Sequence, residues 1–311
     1  MKKILRIILR TILILFFLLN IIVIFHAYKF THFYNPGELG IVPGIRKTGW
    51  DNTKSILFGF NAEKQSNTLP DTTYNTVNLT TKDGTKLEGW MIMVPHPRGT
   101  VLLFHGHGGK KSGVIAEAYQ FNKLGFNTFL LDFRAHGNSG GNTCTIGFEE
   151  SEDVKLAYDF INSRSPGNTI LWGISMGGAT ITKAVHDYHL APSKIILEMP
   201  FGSLPSAVAG RIRMMHLPAE PLSTLLTFWG GTIHGFWAYG MKPSEYAKDI
   251  RCPVLLQWGR LDPRVSENET KDIYSNLQVP KKLVIYEKSA HESLYKKEPV
   301  KWLKEVTEFL K

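Results

Sequence analysis

The hexapeptide Gly173-Ile174-Ser175-Met176-Gly177-Gly178 fits G-x-S-x-G and lies directly between an apolar run and a helix-like stretch. In that setting the glycines allow a sharp turn and the serine hydroxyl stands out over the end of a strand. The positive end of the following helix favours negative charge developing there. Such a serine attacks an acyl carbon, but only if a base takes its proton and an acid orients the base. In a strand–helix sheet of this kind both follow the serine, each just beyond a strand. Run 253–257 leads into Trp258-Gly259-Arg260-Leu261-Asp262-Pro263, and run 283–286 into Glu287-Lys288-Ser289-Ala290-His291-Glu292. Asp262 and His291 are therefore the expected partners of Ser175. Glu198, which follows run 194–197, is the rival acid, and Asp249 is a further carboxylate in range. The plainer uses of these residues are an incidental serine in a glycine-rich turn, a turn or helix-capping aspartate, and a surface histidine.

A tetrahedral intermediate also needs donors for its oxyanion. Phe104-His105-Gly106-His107-Gly108-Gly109 closes the apolar run 100–104 with a glycine-rich turn of unobstructed amides. The backbone N–H of His107, with that of Met176, is the expected oxyanion pair. The alternative is a tight turn and nothing more.

The elements that must position these groups alternate between strand and helix. Runs 76–81 and 85–94 flank Asp83-Gly84, a hairpin signal. Strands are expected at 100–104, 128–131, 169–172, 194–197, 253–257 and 283–286, the first of them (TVLLF) apolar throughout, as for a strand covered on both faces. Helices are expected near 114–124, 148–161, from Met176, near 267–277 and from Pro299. An antiparallel hairpin followed by strand–helix units gives an α/β domain, mostly parallel, with helices on both faces. Residues 201 to about 246 break the rhythm and carry Phe201, Leu204, Met214, Met215, Leu225, Leu226, Phe228, Trp229, Phe236 and Trp237. Most of these are expected to pack on the sheet, although an apolar cover would also suit an acyl substrate.

The segment Asp132-Phe133-Arg134-Ala135-His136-Gly137-Asn138-Ser139 is similar to a D-x-R-G-H-G-x-S loop, with Ala135 in place of the usual first glycine. Together with the His-Gly turn, the serine elbow, Gly259-x-x-Asp262 and the final His291, it resembles the α/β-hydrolase family. The resemblance is to the branch of serine aminopeptidase-like and prolyl-oligopeptidase-like single-domain hydrolases, and covers about residues 76–311. It implies the α/β-hydrolase fold, a Ser175–Asp262–His291 triad, no cofactor or metal, and a helical lid formed by the insertion. Asp132, Arg134 and His136 are expected to be structural.

The head of the chain is a membrane signal. Residues 11–25 read TILILFFLLNIIVIF, with Asn20 the one strongly polar member. Counted from residue 4 to residue 27, with Arg6 and Arg10 snorkelling, the segment approaches the roughly 20 residues a helix needs to cross a bilayer. Lys2, Lys3, Arg6 and Arg10 precede the core and Lys29 follows it, so the N-terminus is expected in the cytoplasm and the body on the other side. A cleaved signal peptide is the competing reading, weakened by the absence of an A-x-A site around Ala27. The chain then divides into an anchor (1–28), a linker with an irregular lead-in (29–73) and the hydrolase domain (74–311). Within the lead-in, Ile56-Leu57-Phe58 is expected to pack on the domain.

Composition excludes the remaining classes. The chain has 311 residues, 43% hydrophobic and 20% charged, with 2 Cys, so it is neither disordered nor a disulfide-stapled miniprotein. The net charge of +9 is no nucleic-acid footprint, because five of those charges lie on the N-terminal segment. Cys144 is expected at the catalytic edge of the sheet and Cys252 at the opposite edge, too far apart for a disulfide. The leading reading is a membrane-anchored serine hydrolase of carboxylic esters, with a small-molecule ester or peptide as substrate. A peptidase of the same mechanism ranks second, since neither a propeller domain nor an acidic pair for a free amino terminus stands out. A non-catalytic binding module of the same fold ranks third.

Overall fold

The computed structural model describes residues 2–39, 49–164 and 168–311. It opens with helix α1 (Lys2–Thr31), whose 30 residues extend about 45 Å at 1.5 Å per residue. Among its residues only Val23, Ala27 and Thr31, spaced by four, are buried. The C-terminal third thus lays one stripe on the body while the rest is exposed apolar surface. The helix is long and apolar enough to cross a membrane. Strand β1 (Phe33–Tyr34), helix α2 (Gly49–Phe58) and strand β2 (Ala62–Glu63) follow, with β1 and β2 pairing in parallel. Phe58 does not pack on the domain: it lies edge-on to Phe25 of α1, and Leu57 is exposed. The Ile56 side chain lies outside the described residues, as do residues 40–48 of the lead-in.

The body is one eight-stranded sheet. Its elements are β3 (Asn75–Thr80), β4 (Lys86–Ile92), β5 (Thr100–Phe104), α3 (Ile115–Lys123), β6 (Asn127–Leu131), α4 (Glu150–Asn162), β7 (Thr169–Ile174), α5 (Met176–Tyr188) and β8 (Lys194–Glu198). The insertion supplies α6 (Leu204–Met214), α7 (Leu222–Ile233) and a short α8 (Pro243–Tyr246). Then come β9 (Val254–Gly259), α9 (Glu267–Asn276), β10 (Lys281–Tyr286), a short α10 (Leu294–Lys297) and α11 (Pro299–Leu310). Strand order is β10-β9-β8-β7-β5-β6-β4-β3, antiparallel at β3–β4 and β4–β6 and parallel elsewhere.

The expected hairpin and every expected strand and helix of the body are present, with ends shifted by a few residues. The pattern was readable because the central strands are covered on both faces: all five residues of β5 and of β6 are buried. In α11 the buried residues are Trp302, Val306 and Leu310, one stripe at helical spacing facing the sheet.

The chain lays β6 on one side of β5 and β7 on the other. The order therefore reverses between β5 and β7, and a crevice opens beyond their carboxyl ends. The register places Phe104 opposite Gly173 there.

Packing of the insertion departs from expectation. Of the ten apolar residues named above only Phe201 and Leu204 are buried, whereas Met214, Met215, Phe228 and Trp237 are exposed. The reason is geometric. Helix α7 packs on α6 and on α1 instead of lying flat on the sheet, so one face of the pair stays outside. Trp229 Nε1 donates to Asn20 Oδ1 at 2.8 Å, which gives the one strongly polar residue of the apolar run a partner.

Both cysteines are free thiols and buried, as their places on opposite sheet edges imply. Alkylation of non-reduced protein should modify both thiols after denaturation and neither quickly before it, read by mass spectrometry. Burial pushes the Cys252 thiol up to about 12 and Cys144 well above its ordinary range, so neither offers a thiolate.

Candidate active site

Ser175 sits between β7 and α5 with φ 54 and ψ −118, a backbone conformation that non-glycine residues seldom adopt. Such a residue costs on the order of 1–3 kcal/mol and persists only where its surroundings hold it. Two contacts do so here. Ser175 N donates to Glu198 O at 2.8 Å, and Ala179 N donates back to Ser175 O at 3.0 Å. The positive φ lies on the serine itself, and the flanking glycine serves close approach. A Cβ on Gly177 would come 2.2 Å from Phe104 O, so α5 could not seat against the end of β5.

His291 and Asp262 reach Ser175 as expected. Ser175 Oγ donates to His291 Nε2 at 2.8 Å, and His291 Nδ1 donates to Asp262 Oδ2 at 2.7 Å. The other carboxylate oxygen, Oδ1, accepts from the amides of Arg264 (2.7 Å) and Val265 (3.0 Å), so the carboxylate cannot swing away. The loops that carry acid and histidine are tied together: Arg260 N donates to Tyr286 O, and Leu261 N to Ser289 O. Gly259 is required at this seam, because a Cβ there would lie 2.5 Å from Ser289 O.

The rival acids are engaged elsewhere. Glu198 is buried at the end of β8, where Oε1 accepts from Trp302 Nε1 (2.6 Å), Trp172 Nε1 (3.0 Å) and Gln257 Nε2 (3.2 Å). Burial raises its carboxyl to about 8, so at neutral pH it is mainly protonated and joins strands to α11. Asp249 pairs with His186 at the surface.

The His-Gly turn rests on the serine: a Cβ built on Gly106 would lie 3.4 Å from Ser175 Cβ. Gly108 N donates to His136 Nε2 at 3.0 Å, and Gly109 N to Gly106 O at 3.0 Å. These bonds use two amides of the turn. Met176 opens α5, where a helix leaves its first N–H groups without intrahelical acceptors.

The 132–139 loop supports this turn from below. Asp132 accepts from Lys111 N (2.6 Å), Lys111 Nζ (2.5 Å) and Asn138 N (2.8 Å). Arg134 is held by Asp153 through Nε (2.9 Å) and Nη2 (2.7 Å). Burial drops His136 to about 4, so its ring is neutral and Nε2 is free to accept the Gly108 amide. Ala135 takes φ 62, the left-handed conformation for which glycine is the usual residue.

Two contacts to the turn were not visible in the sequence. His107 Nε2 donates to Phe30 O of α1 at 3.2 Å and its ring stacks on Phe30, with centroids 4.6 Å apart. Its other nitrogen, Nδ1, accepts from Arg211 Nη2 of α6 at 3.2 Å. The membrane-type helix and the insertion therefore both touch the residue expected to supply an oxyanion amide. Separations of 77 and 104 residues, with no motif at either end, left no sequence signal for these contacts.

Comparison with known proteins agrees with this geometry. Residues 95–234 match the family model described as serine aminopeptidase, S33. The Bacillus subtilis protein YqkD is 26% identical over 237 residues, covering 73% of this chain and 76% of that protein. The Saccharomyces cerevisiae membrane protein YNL320W is 28% identical over 133 residues, 42% of this chain and 47% of that one. Among solved structures, the Pyrococcus furiosus esterase Pf2001 superposes with a TM-score of 0.64 at 25% identity, covering 79% of this chain and 96% of the esterase. A sheet of this order with a serine elbow at its switch point, matched over residues 95–234 by a serine-hydrolase family model and superposing on an esterase structure, has the α/β-hydrolase fold, and the chain is a hydrolase.

Proposed function

We propose that the chain is a membrane-anchored serine hydrolase that cleaves carboxylic esters through an acyl-enzyme intermediate. The observation that carries this reading is the unbroken hydrogen-bond chain Ser175 Oγ–His291–Asp262, at 2.8 and 2.7 Å, at the N-terminus of α5. His291 takes the Ser175 proton as Oγ bonds to the ester carbonyl carbon. The amides of His107 and Met176 receive the oxyanion, and His291 returns the proton to the leaving alcohol. Water, activated by the same imidazole, then splits the acyl-enzyme. Asp262 holds the ring in the tautomer that leaves Nε2 free to accept. The insertion at 201–246 acts as the lid over this site.

The peptidase reading is kept alive by the serine aminopeptidase description of the matching family model. A fluorophosphonate probe tests the mechanism before any substrate is known: it should label wild-type protein at Ser175 and leave the Ser175→Ala chain unlabelled. Comparing p-nitrophenyl esters with the matching aminoacyl p-nitroanilides then separates the two activities. Esters should be turned over faster, and a preference for the anilides would reverse the order.

Residues 4–27 should anchor the body on the non-cytoplasmic side. The apolar α1, the basic residues in its first turns and the membrane description of the yeast relative support this reading. The protein should stay in the membrane pellet through carbonate extraction, and external protease should digest the body. A soluble product beginning near Tyr28 would show a removed signal peptide instead.

A further inference from the structure

Between the C-terminal third of α1 and the helical insertion lies a cavity of about 390 Å³, within the range of sites that enclose a small ligand. Its wall is mainly apolar: Ala27 and Phe30 from α1 face Leu204, Val208, Ile212 and Leu226 from the insertion. Neither Ser175 nor His291 lines it, so it lies beside the triad rather than over it. Two arginines, Arg211 and Arg264, also line it. Arg211 donates to the ring of His107, and Arg264 directly follows the Asp262 turn, its backbone amide bonded to Asp262 Oδ1.

Neither guanidinium has a carboxylate partner among the described residues, and no acidic residue is among those lining the cavity. Arg211 reaches a neutral imidazole nitrogen and the Phe30 ring, and Arg264 Nε reaches the sulfur of Met214 at 3.0 Å. Placing two like charges together against an apolar wall is unfavourable unless an anion joins them. Burial lowers Arg211 to about 10, and the neighbouring Arg264 adds to the fall. Elsewhere in the body the buried arginine has its countercharges: Arg134 pairs with Asp153, Glu152 and Glu149.

We infer that this cavity takes a single-chain acyl lipid with an anionic head group, drawn from the leaflet beside the body. Its acyl chain lies against α1 and the insertion, and its phosphate lies on Arg211 and Arg264. The inference rests on the hydrolase reading above and narrows its substrate class. Arg264 follows the Asp262 turn in the chain and Arg211 touches the ring of His107, so the scissile ester of this lipid stands only a few bonds from its anion, as in a monoacyl glycerophosphate. Ser175 Oγ then bonds to the acyl carbon, the bond to the glycerol oxygen breaks, and that oxygen takes the proton from His291. Water releases the fatty acid, leaving glycerol phosphate. The lipid source follows from the chain itself: the cavity is walled by the apolar helix α1 proposed as the anchor, packed against α7, and by exposed Met214 and Met215 of the insertion.

The test uses full-length protein in phosphatidylcholine nanodiscs. Wild-type hydrolysis and binding by the Ser175→Ala chain are measured with 1-oleoyl-lysophosphatidate, 1-oleoyl-lysophosphatidylcholine and monoolein. Lysophosphatidate should be preferred at least tenfold over the other two in both assays. Arg211→Gln and Arg264→Gln should each cut that preference severalfold, and Arg264→Lys should retain part of it. The ratio between head groups, measured within one variant, is independent of any loss in overall turnover or folded fraction. Equal handling of the three lipids by wild type and by the Ser175→Ala chain would overturn the inference, as would inorganic phosphate competing as well as the lipid does, which would make the arginines a free-anion site. Fluorophosphonate labelling is run in parallel. Labelled protein with no head-group preference sinks this inference alone, and unlabelled protein that still binds lysophosphatidate selectively sinks the hydrolase mechanism while upholding the cavity.

Discussion

Replacing Ser175 by alanine is expected to lower kcat for ester hydrolysis by about 10⁵- to 10⁶-fold, because nucleophile, base and acid act as a unit and the remaining groups can only bind and polarise the substrate. The substitution removes one hydroxyl and leaves the bonds from Ser175 N to Glu198 O and from Ala179 N to Ser175 O in place. The melting temperature should therefore move by no more than a few degrees. The positive φ is no easier for alanine than for serine, so strain at the elbow does not change sign. Steady-state kinetics on protein with a native circular-dichroism spectrum is the check. A folded Ser175→Ala chain with more than about a hundredth of wild-type turnover would place the nucleophile elsewhere and undo the proposed mechanism.

The second large effect is expected at Asp262. Asp262→Asn should lower kcat about 10⁴-fold, because an amide nitrogen facing His291 Nδ1 turns the imidazole into the tautomer that cannot accept the serine proton. Glu198→Gln should keep most of the activity, since an amide oxygen can still accept from Trp172 and Trp302. Its effect belongs to stability and pH. The folded-state carboxyl of Glu198 is raised to about 8, above the ordinary glutamate value near 4.3 that the unfolded chain would show. Between those values the native state holds a proton that the unfolded state has lost. This group therefore makes wild-type stability fall as pH rises, by at most about 1.4 kcal/mol per pH unit, until about pH 8. In Glu198→Gln that contribution should vanish, which urea titrations at pH 6 and pH 8 would resolve. Loss of activity in Glu198→Gln with survival in Asp262→Asn would exchange the roles of the two acids.

The sequence by itself determined the sheet and the order of the chemistry along it. Each strand buried on both faces writes a short apolar run, and each glycine at a close approach, such as Gly177 against Phe104 O, can be no other residue. Ser175, Asp262 and His291 were therefore legible as residues just past strand ends, and their meeting followed once the strands were parallel. The sequence favoured Asp262 by its loop position but kept Glu198 as a rival, because both follow a strand. In the structure the two differ in depth: Glu198 is buried under Trp172 and Trp302, whereas Asp262 stands in a loop whose amides hold Oδ1 and leave Oδ2 on His291. The packing of the insertion was not legible either, since a run of apolar residues does not say which surface it covers. Only the tertiary structure shows α7 against α1, Asn20 paired with Trp229, and Phe30 and Arg211 meeting at His107. Contacts between irregular segments this far apart in the chain carry no period and no motif. They depend on where the sheet's twist and the exit of α1 bring the backbone, which is a property of the whole fold.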